Sequence, residues 1–217
     1  LTAGGQNADG LDATNDLSFL CIQASMHTQL PAPSFSVRIW NGTPNEFLIK
    51  CAELTRTGVG LPAYYNDEVI IPALMSRGVT LADAREYGII GCVEPQKPFK
   101  TDGWHDAAFF NMCRPLELVF SNGVDKGAQI SIKTGNVEDM TTFEEFYNAY
   151  KAQETYMIGL MVNAINAIDT AHSERVPLPF LSCMVEDCVK EGKTVQEGGA
   201  HYNFTGPQGF GIANMAG

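Results

Sequence analysis

The sequence predicts an α/β fold, because segments with the two-residue period of strands alternate with segments of helical period and no tandem repeat interrupts them. Residues 15–30 have the apolar spacing of a helix that begins at Asn15 or Asp16 and ends before Pro31. Residues 35–39 then alternate apolar and polar side chains, which predicts a half-buried strand. Segments with the pattern of strands and segments with the pattern of helices continue to alternate through the rest of the chain.

The next predicted helix has clearly marked ends. Thr43 as N-cap, Pro44 at the first helical position and Glu46 together predict a capping box. Gly58 is a natural stop for the helix, because glycine readily adopts the left-handed conformation found after a last turn. A short apolar segment over residues 59–64 follows, so the order of strand and helix repeats.

Two more capped helices are predicted, one from Asn66 or Asp67 to Gly78 and one over residues 80–87. The apolar run 89–93 then predicts a brief buried strand. This strand leads directly into the part of the sequence with the most chemical interest.

The second half of the chain contains the longest predicted helix. Residues 106–120 are helical by pattern, with Asp106 as a candidate N-cap, and residues 142–171 keep helical spacing behind a predicted cap formed by Thr141 and Glu144. Smaller predicted elements are a helix over residues 184–189 and a tight turn at Gly206, Gly209 and Gly211.

The composition excludes several classes of function. A formal charge of −11 disfavours nucleic acid and anionic membranes as partners, because both would repel the protein. No apolar stretch approaches the ~20 residues of a membrane helix, so the expected location is the cytoplasm. The six cysteines include no Cys-x-x-Cys pair, most are expected to be buried, and the scattered histidines lack ligand spacing. No metal site is predicted.

Gly91-Cys92-Val93-Glu94-Pro95 combines a thiol with a carboxylate. In an extended segment, side chains two residues apart point to the same side, so Cys92 and Glu94 are expected to face one cavity. A neighbouring carboxylate raises the pKa of a thiol, which disfavours thiolate chemistry. A thiol that transfers hydrogen atoms need only stay neutral and close to its substrate, so this pattern favours one-electron chemistry.

These five residues resemble the active-site motif of the glycyl radical dehydratases and lyases. The resemblance continues through Gln96, residues 103–110 and residues 203–209, and so spans nearly the whole chain. The Cys-Val-Glu sequence separates the chain from the pyruvate formate-lyases, which are similar but carry adjacent cysteines at this position.

The resemblance implies a reaction and a fold. Cys92 as a thiyl radical would take a hydrogen atom from a substrate carbon that bears a hydroxyl, and Glu94 would remove the hydroxyl proton. The implied fold is a ten-stranded α/β barrel with surrounding helices. Residues 1–217 are expected to be an internal fragment of that single large domain, without its N-terminal part and its C-terminal glycyl radical domain.

The resemblance also implies partners. The fragment is expected to bind no cofactor, because the stored radical lies on a glycine in the missing C-terminal region. A radical S-adenosylmethionine activase with a 4Fe–4S cluster would install that radical. The other implied partners are a small diol or hydroxyalkyl substrate and, at full length, a second copy in a homodimer. The implied location is the cytoplasm, or a bacterial microcompartment within it.

Asp106 matches a substrate-binding aspartate of the glycerol and propane-1,2-diol dehydratases, which favours a dehydratase of vicinal diols. Its alternative role is the N-cap of the predicted helix. His105 is a candidate proton donor to the leaving group, and its alternative role is a loop histidine that bonds the backbone. Arg38 is predicted to form a structural ion pair in preference to an anion site.

Three other functions stay open. Isethionate sulfite-lyase is the nearest alternative, because the residues that would separate it lie outside the chain. A choline trimethylamine-lyase carries Thr and Tyr where His105 and Phe109 stand here. A catalytically silent barrel protein is the alternative of another class.

Overall fold

The computed structural model describes residues 1–216, with Gly103 described by its backbone alone. Gly217, the last residue of the predicted fragment, lies outside the described residues. The chain forms two compact units, the first comprising 1–103 with 184–186 and the second comprising 104–183 with the residues from Asp187 onward. No described helix is both long enough and apolar enough to cross a lipid bilayer.

The first unit has an α/β fold, as predicted. Three strands form a parallel sheet in the order β1-β2-β3, with a helix following each of them. The elements of this unit are β1 Thr2–Gly4, α1 Asp16–Thr28, β2 Ser36–Ile39, α2 Asn45–Arg56, β3 Ala63–Asn66, α3 Asp67–Met75, α4 Leu81–Arg85, β4 Gly88–Ile90 and β5 Glu94–Gln96.

The core of the first unit lies between the central strand β2 and the helices α1 and α2. Six buried residues form it: Ile22, Phe35, Val37, Phe47, Cys51 and Leu54. The prediction of a half-buried strand was wrong, because the polar residues of β2, Ser36 and Arg38, are buried as well. A sequence pattern cannot separate a solvated polar residue from one whose polar atoms are paired in the interior.

The helix starts that depend on short-range contacts were mostly confirmed. Asn15, Asn66 and Thr80 are N-caps whose side chains accept a hydrogen bond from a backbone N–H of the first turn. The box at Thr43 was wrong: Pro44 is the N-cap of α2, and the Thr43 hydroxyl accepts from the N–H of Trp40. Thr43 therefore closes the preceding turn.

The predicted buried strand over 89–93 was also wrong. Gly88–Ile90 and Glu94–Gln96 are two strands of an antiparallel hairpin in which Ile90 pairs with Glu94. The intervening residues Gly91, Cys92 and Val93 form its exposed turn. We call residues 88–96 the cysteine hairpin.

The second unit contains one long helix and a two-stranded ribbon. Its elements are β6 Thr101–Asn111, whose first residues belong to the first unit, α5 Cys113–Phe120, β7 Val124–Asp125, β8 Ala128–Gln129, α6 Phe143–Arg175, α7 Pro179–Ser182, α8 Cys188–Glu191, β9 Tyr202–Phe210 and α9 Ile212–Ala216, with short 3-10 helices at Val137–Asp139 and Val195–Glu197. Strands β6 and β9 pair in the β6–β9 ribbon. The core between α5 and α6 contains Val119, Ala149 and Tyr150.

The predicted helix over 106–120 was wrong over its first half. Residues 106–111 belong to β6, and only Cys113–Phe120 is helical. Asp106 is therefore not an N-cap. The segment 106–110 contains two alanines, which favour a helix, and two phenylalanines, which favour a strand. The pairing with β9 makes the segment a strand.

Three smaller predictions in this unit also need correction. The long helix is confirmed, but its capping box is one residue further on, at Thr142 and Glu145. The helix predicted over 184–189 is a single turn at Cys188–Glu191. Two glycines of the predicted turn, Gly206 and Gly209, belong to β9, whereas Gly211 follows the strand with a φ of +86°. Gly206 has a physical role there, because a Cβ at this position would lie 3.0 Å from the backbone of His105.

Candidate active site

The cysteine hairpin presents Cys92 at its tip. Cys92 and Val93 are exposed, and Gly91 has a φ of +60°, a left-handed conformation that glycine adopts without strain. The N–H of Ile89, in the first strand, donates to the Thr2 hydroxyl at 3.2 Å. The thiol therefore lies at the tip of the cysteine hairpin, and the first strand of this hairpin is hydrogen-bonded to β1.

The carboxylate of Glu94 lies under this turn. Its Oε2 atom accepts hydrogen bonds from the N–H groups of Cys92 and Val93, both at 2.8 Å. The two backbone donors converge on one oxygen, an arrangement suited to an ionised carboxylate. A Cβ at Gly91 would lie only 2.8 Å from the same oxygen, so glycine leaves the space that the carboxylate occupies.

The expected geometry of Cys92 and Glu94 was only partly right. The two residues are neighbours, but the reason is not the same-side rule of an extended strand, because Cys92 lies in the turn and Glu94 begins β5. The link between them is the pair of hydrogen bonds from the turn to Oε2. The backbone of the turn that carries the thiol therefore binds the Glu94 carboxylate.

Tyr65 is a second contact of the turn that sequence patterns did not indicate. Its hydroxyl donates to the Cys92 carbonyl at 3.1 Å, from strand β3. Burial raises the pKa of Tyr65, the negative charge of Glu94 adds to the increase, and a hydrogen bond to the Ser36 side chain opposes it. The phenol therefore keeps its proton and remains a donor.

A buried ion pair lies beneath β3 and at the base of the cysteine hairpin. Arg38 binds Asp67 through Nε at 3.0 Å and Nη2 at 2.8 Å, which confirms the predicted structural ion pair. Its Nη1 and Nη2 atoms also donate to the carbonyls of Tyr87 and Arg85, at 3.1 and 2.6 Å.

Tyr87 completes this cluster. Its hydroxyl donates to Asp67 Oδ1 at 2.8 Å, and its ring lies 4.0 Å from the Arg38 guanidinium carbon. Burial strongly raises the pKa of Tyr87, and the adjacent Asp67 carboxylate raises it further. The cluster therefore fixes the residue directly before the cysteine hairpin.

Asp106 lies in the second unit, on the β6–β9 ribbon, whereas Cys92 and Glu94 lie in the first. It is exposed, and its Oδ1 accepts from the Gln208 amide at 2.7 Å. Gln208 is thus a further candidate, which lies in the similar segment 203–209 but had no role assigned from the sequence. Its partner is 102 residues away, so no local signal could have found it.

The remaining candidates are more peripheral. The ring of His105 lies 6.4 Å from that of Phe204 in the same ribbon. Among the described cysteines, Cys51 and Cys188 are buried and the other four are half-buried or exposed, so the expectation that most are buried was wrong. His201 Nδ1 lies 2.6 Å from an Asp187 carboxylate oxygen, within the second unit.

Known proteins resemble this chain over its whole length. The family model for pyruvate formate lyase-like proteins matches residues 1–217. The curated (2S)-3-sulfopropanediol dehydratase of Klebsiella oxytoca is 40% identical over 218 residues, which cover 100% of this chain and 26% of that protein.

Two solved structures are closer in sequence. A structure titled for 1,2-propanediol dehydration in Roseburia inulinivorans is 67% identical, with a TM-score of 0.96 and coverage of 100% of this chain and 27% of that one. The glycerol-bound form of the B12-independent glycerol dehydratase from Clostridium butyricum is 63% identical, with a TM-score of 0.96 and coverage of 99% and 27%. The chain therefore spans about a quarter of the length of these relatives.

Proposed function

Because the chain belongs to the pyruvate formate lyase-like family, we propose that it carries the reactive residues of a glycyl radical dehydratase. The proposed substrate is a vicinal diol such as glycerol or propane-1,2-diol, and the reaction eliminates water to give an aldehyde. The supporting observation is the identity of 67% to a structure of 1,2-propanediol dehydration in Roseburia inulinivorans and of 63% to the glycerol dehydratase from Clostridium butyricum.

The proposal concerns a longer protein, of which this chain would be an internal segment. The described sheets have two or three strands. We propose that further strands of the full-length protein complete a ten-stranded barrel around the cysteine hairpin. The same protein would contain the radical glycine in its C-terminal part, function as a homodimer in the cytoplasm or a microcompartment, and depend on a radical S-adenosylmethionine activase.

Cys92 is proposed to start and end the reaction. The stored glycyl radical supplies the unpaired electron that this sulfur carries as a thiyl. The sulfur takes a hydrogen atom from the substrate carbon that bears a hydroxyl, so an S–H bond forms and a C–H bond breaks. The exposed position of Cys92 at the tip of a turn suits a sulfur that must meet both the radical source and the substrate.

Glu94 is proposed as the acid/base residue. It takes the proton of the hydroxyl on the radical carbon, and the resulting ketyl radical expels the neighbouring hydroxyl as hydroxide. That hydroxide takes a proton, from Glu94 or from a second donor such as His105, and leaves as water. The carbon radical then takes the hydrogen atom back from Cys92, which restores the thiyl. The Glu94 carboxylate is held at the turn that carries the thiol, because its Oε2 atom accepts from both turn amides.

Asp106 is proposed to bind a substrate hydroxyl, and its hydrogen bond to Gln208 would orient the carboxylate. A carboxylate that accepts hydrogen bonds from the hydroxyls of a diol distinguishes the diol from a substrate with one hydroxyl.

The deciding experiment uses the full-length protein with its activase under strict anaerobiosis. Consumption of glycerol, propane-1,2-diol, isethionate and choline is measured separately. Aldehyde formation from a diol supports the proposal. Release of sulfite from isethionate, or of trimethylamine from choline, with no turnover of diols would replace it. A full-length sequence without an Arg-Val-Ser-Gly-Tyr-like loop would indicate a catalytically silent barrel protein.

A further inference from the structure

The turn that carries Cys92 is exposed, and hydrogen bonds from within the hairpin do not by themselves fix its position relative to the sheet. Ile90 and Val93, on either side of Cys92, are 41% and 53% exposed. The two hydrogen bonds from the turn to Glu94 are internal to the hairpin and move with it. A group outside the hairpin is needed to hold the tip in one place.

Tyr65 is such a group. Its hydroxyl donates to the backbone carbonyl of Cys92 at 3.1 Å, across 27 residues of sequence. The contact is made to the residue that carries the thiol, at the carbonyl oxygen two bonds from its Cα. Any displacement of this carbonyl is therefore transmitted to the sulfur.

The strand that carries Tyr65 is well supported. In β3 it pairs with Arg38 of β2, and two residues later Asp67 is bound by the Arg38 guanidinium. Asp67 is 1% exposed and Arg38 is 5% exposed, so this anchor lies in the interior. The phenol is thus attached to a part of the fold that burial and an ion pair keep in place.

The hydroxyl is also chemically suited to act as a permanent donor. Burial and the negative charge of Glu94 both raise the pKa of Tyr65. The hydroxyl therefore stays protonated over the whole pH range in which an enzyme of this kind would be assayed.

We propose that Tyr65 is a positioning residue that holds the Cys92 sulfur in place for hydrogen-atom transfer through its hydrogen bond to the Cys92 carbonyl. The inference rests on the proposed role of Cys92 as the thiyl. Hydrogen-atom transfer is sensitive to the distance between donor and acceptor atoms, because a misplacement of about 1 Å can cost ~10²-fold in rate. A residue that fixes the thiol without contacting the substrate would change kcat and leave KM unaltered.

The test compares the full-length protein with its Tyr65→Phe and Tyr64→Phe variants. Tyr64 is the matched control, because it lies on the same strand, is exposed and contacts the Thr55 hydroxyl at 2.6 Å. Loss of the hydrogen bond to the Cys92 carbonyl predicts a decrease in kcat of about three- to tenfold for Tyr65→Phe. The glycyl radical signal and KM are expected to match those of the wild type, and Tyr64→Phe is expected to match it throughout.

A deuterium isotope effect separates positioning from general damage. With a diol deuterated at the carbon that loses hydrogen, the isotope effect on kcat should be larger in Tyr65→Phe, because hydrogen-atom transfer becomes slower relative to the other steps. Wild-type kcat and isotope effect in this variant would overturn the inference. So would a loss of activity in proportion to a loss of glycyl radical.

Crystal structures of the unactivated full-length wild type and Tyr65→Phe give a readout that needs no turnover. A displaced or mobile turn at residues 91–93 in the variant supports the inference, and an unmoved turn overturns it. If the wild type dehydrates no diol, the proposed function fails, and the crystal structures still decide the role of Tyr65.

Discussion

The cysteine hairpin and the β6–β9 ribbon both contain proposed site residues, but they are built in opposite ways. In the hairpin, Glu94 accepts from the N–H groups of the two residues directly before it. In the ribbon, Asp106 accepts from Gln208, 102 residues further along the chain. Local contacts can be inferred from a five-residue motif, whereas the ribbon exists only after the chain has folded. Under the proposed function, substitutions in the hairpin should affect the chemistry, and substitutions in the ribbon should affect substrate binding.

The strongest test of this difference is Cys92→Ser in the full-length protein. Serine keeps the shape of the turn, but an O–H bond is too strong to take part in the hydrogen-atom exchange, so turnover should fall below detection. The glycyl radical signal in electron paramagnetic resonance should persist. Cys183→Ser is the control, because Cys183 is also exposed, and it should retain activity. Turnover by Cys92→Ser would remove Cys92 from the mechanism.

Glu94→Gln should have the next largest effect. The amide oxygen can still accept a hydrogen bond from the turn, but the side chain can no longer take the substrate proton. Loss of a general acid/base predicts a decrease in kcat of about 10²–10⁴-fold. Glu86→Gln is the control, since Glu86 forms a surface ion pair with Lys97 at 2.7 Å. Equal kcat values for Glu94→Gln and the wild type would leave Glu94 with a structural role alone.

Arg38→Met tests the support beneath the hairpin. It leaves the Asp67 carboxylate buried without its cation, and breaking a buried ion pair costs about 3–5 kcal/mol. Denaturant unfolding of the full-length protein should show this loss. Lys50→Met removes the cation of an exposed pair at 2.7 Å and should change the unfolding free energy by at most ~1 kcal/mol. Similar effects of the two substitutions would contradict a supporting role for the Arg38 cluster.

Asp106→Asn should have the smallest effect of the four. Its amide oxygen can still accept from Gln208, but the negative charge is lost. A hydrogen bond to a charged group is worth ~1.5–3 kcal/mol, so the KM for glycerol should rise by about ten- to a hundredfold. Asp169→Asn, at an exposed site on α6, should leave KM unaltered. A decrease in kcat at constant KM would instead place Asp106 with the chemistry of the hairpin.

The sequence was informative where interactions are short in range. Asn15, Asn66 and Thr80 were identified as helix caps because their hydrogen-bond partners are two or three residues away. The α/β order of the first unit followed from the same kind of local signal. The motif at Cys92 and Glu94 was also found, although the geometry expected for it was that of a strand and the structure has a turn.

The sequence was misleading where another contact, local or distant, competes with the predicted one. Thr43 was expected to cap a helix, but its hydroxyl accepts from Trp40. Residues 106–111 were expected to be helical, but the pairing with β9 makes them a strand. Tyr65 was missed, and Gln208 was given no role although it lies in the similar segment 203–209. Neither residue type nor spacing shows that a phenol will reach the Cys92 carbonyl or that an amide will reach Asp106.

The glycine of the motif matters for anyone who would move this chemistry to another scaffold. Any L-residue at position 91 would have a strained φ of +60°, and its Cβ would lie 2.8 Å from Glu94 Oε2. A graft that transfers only a cysteine and a glutamate onto a new hairpin would reproduce the composition without the geometry. The smallest transferable unit is the four-residue sequence Gly91 to Glu94, in which the residue without a side chain makes room for the carboxylate.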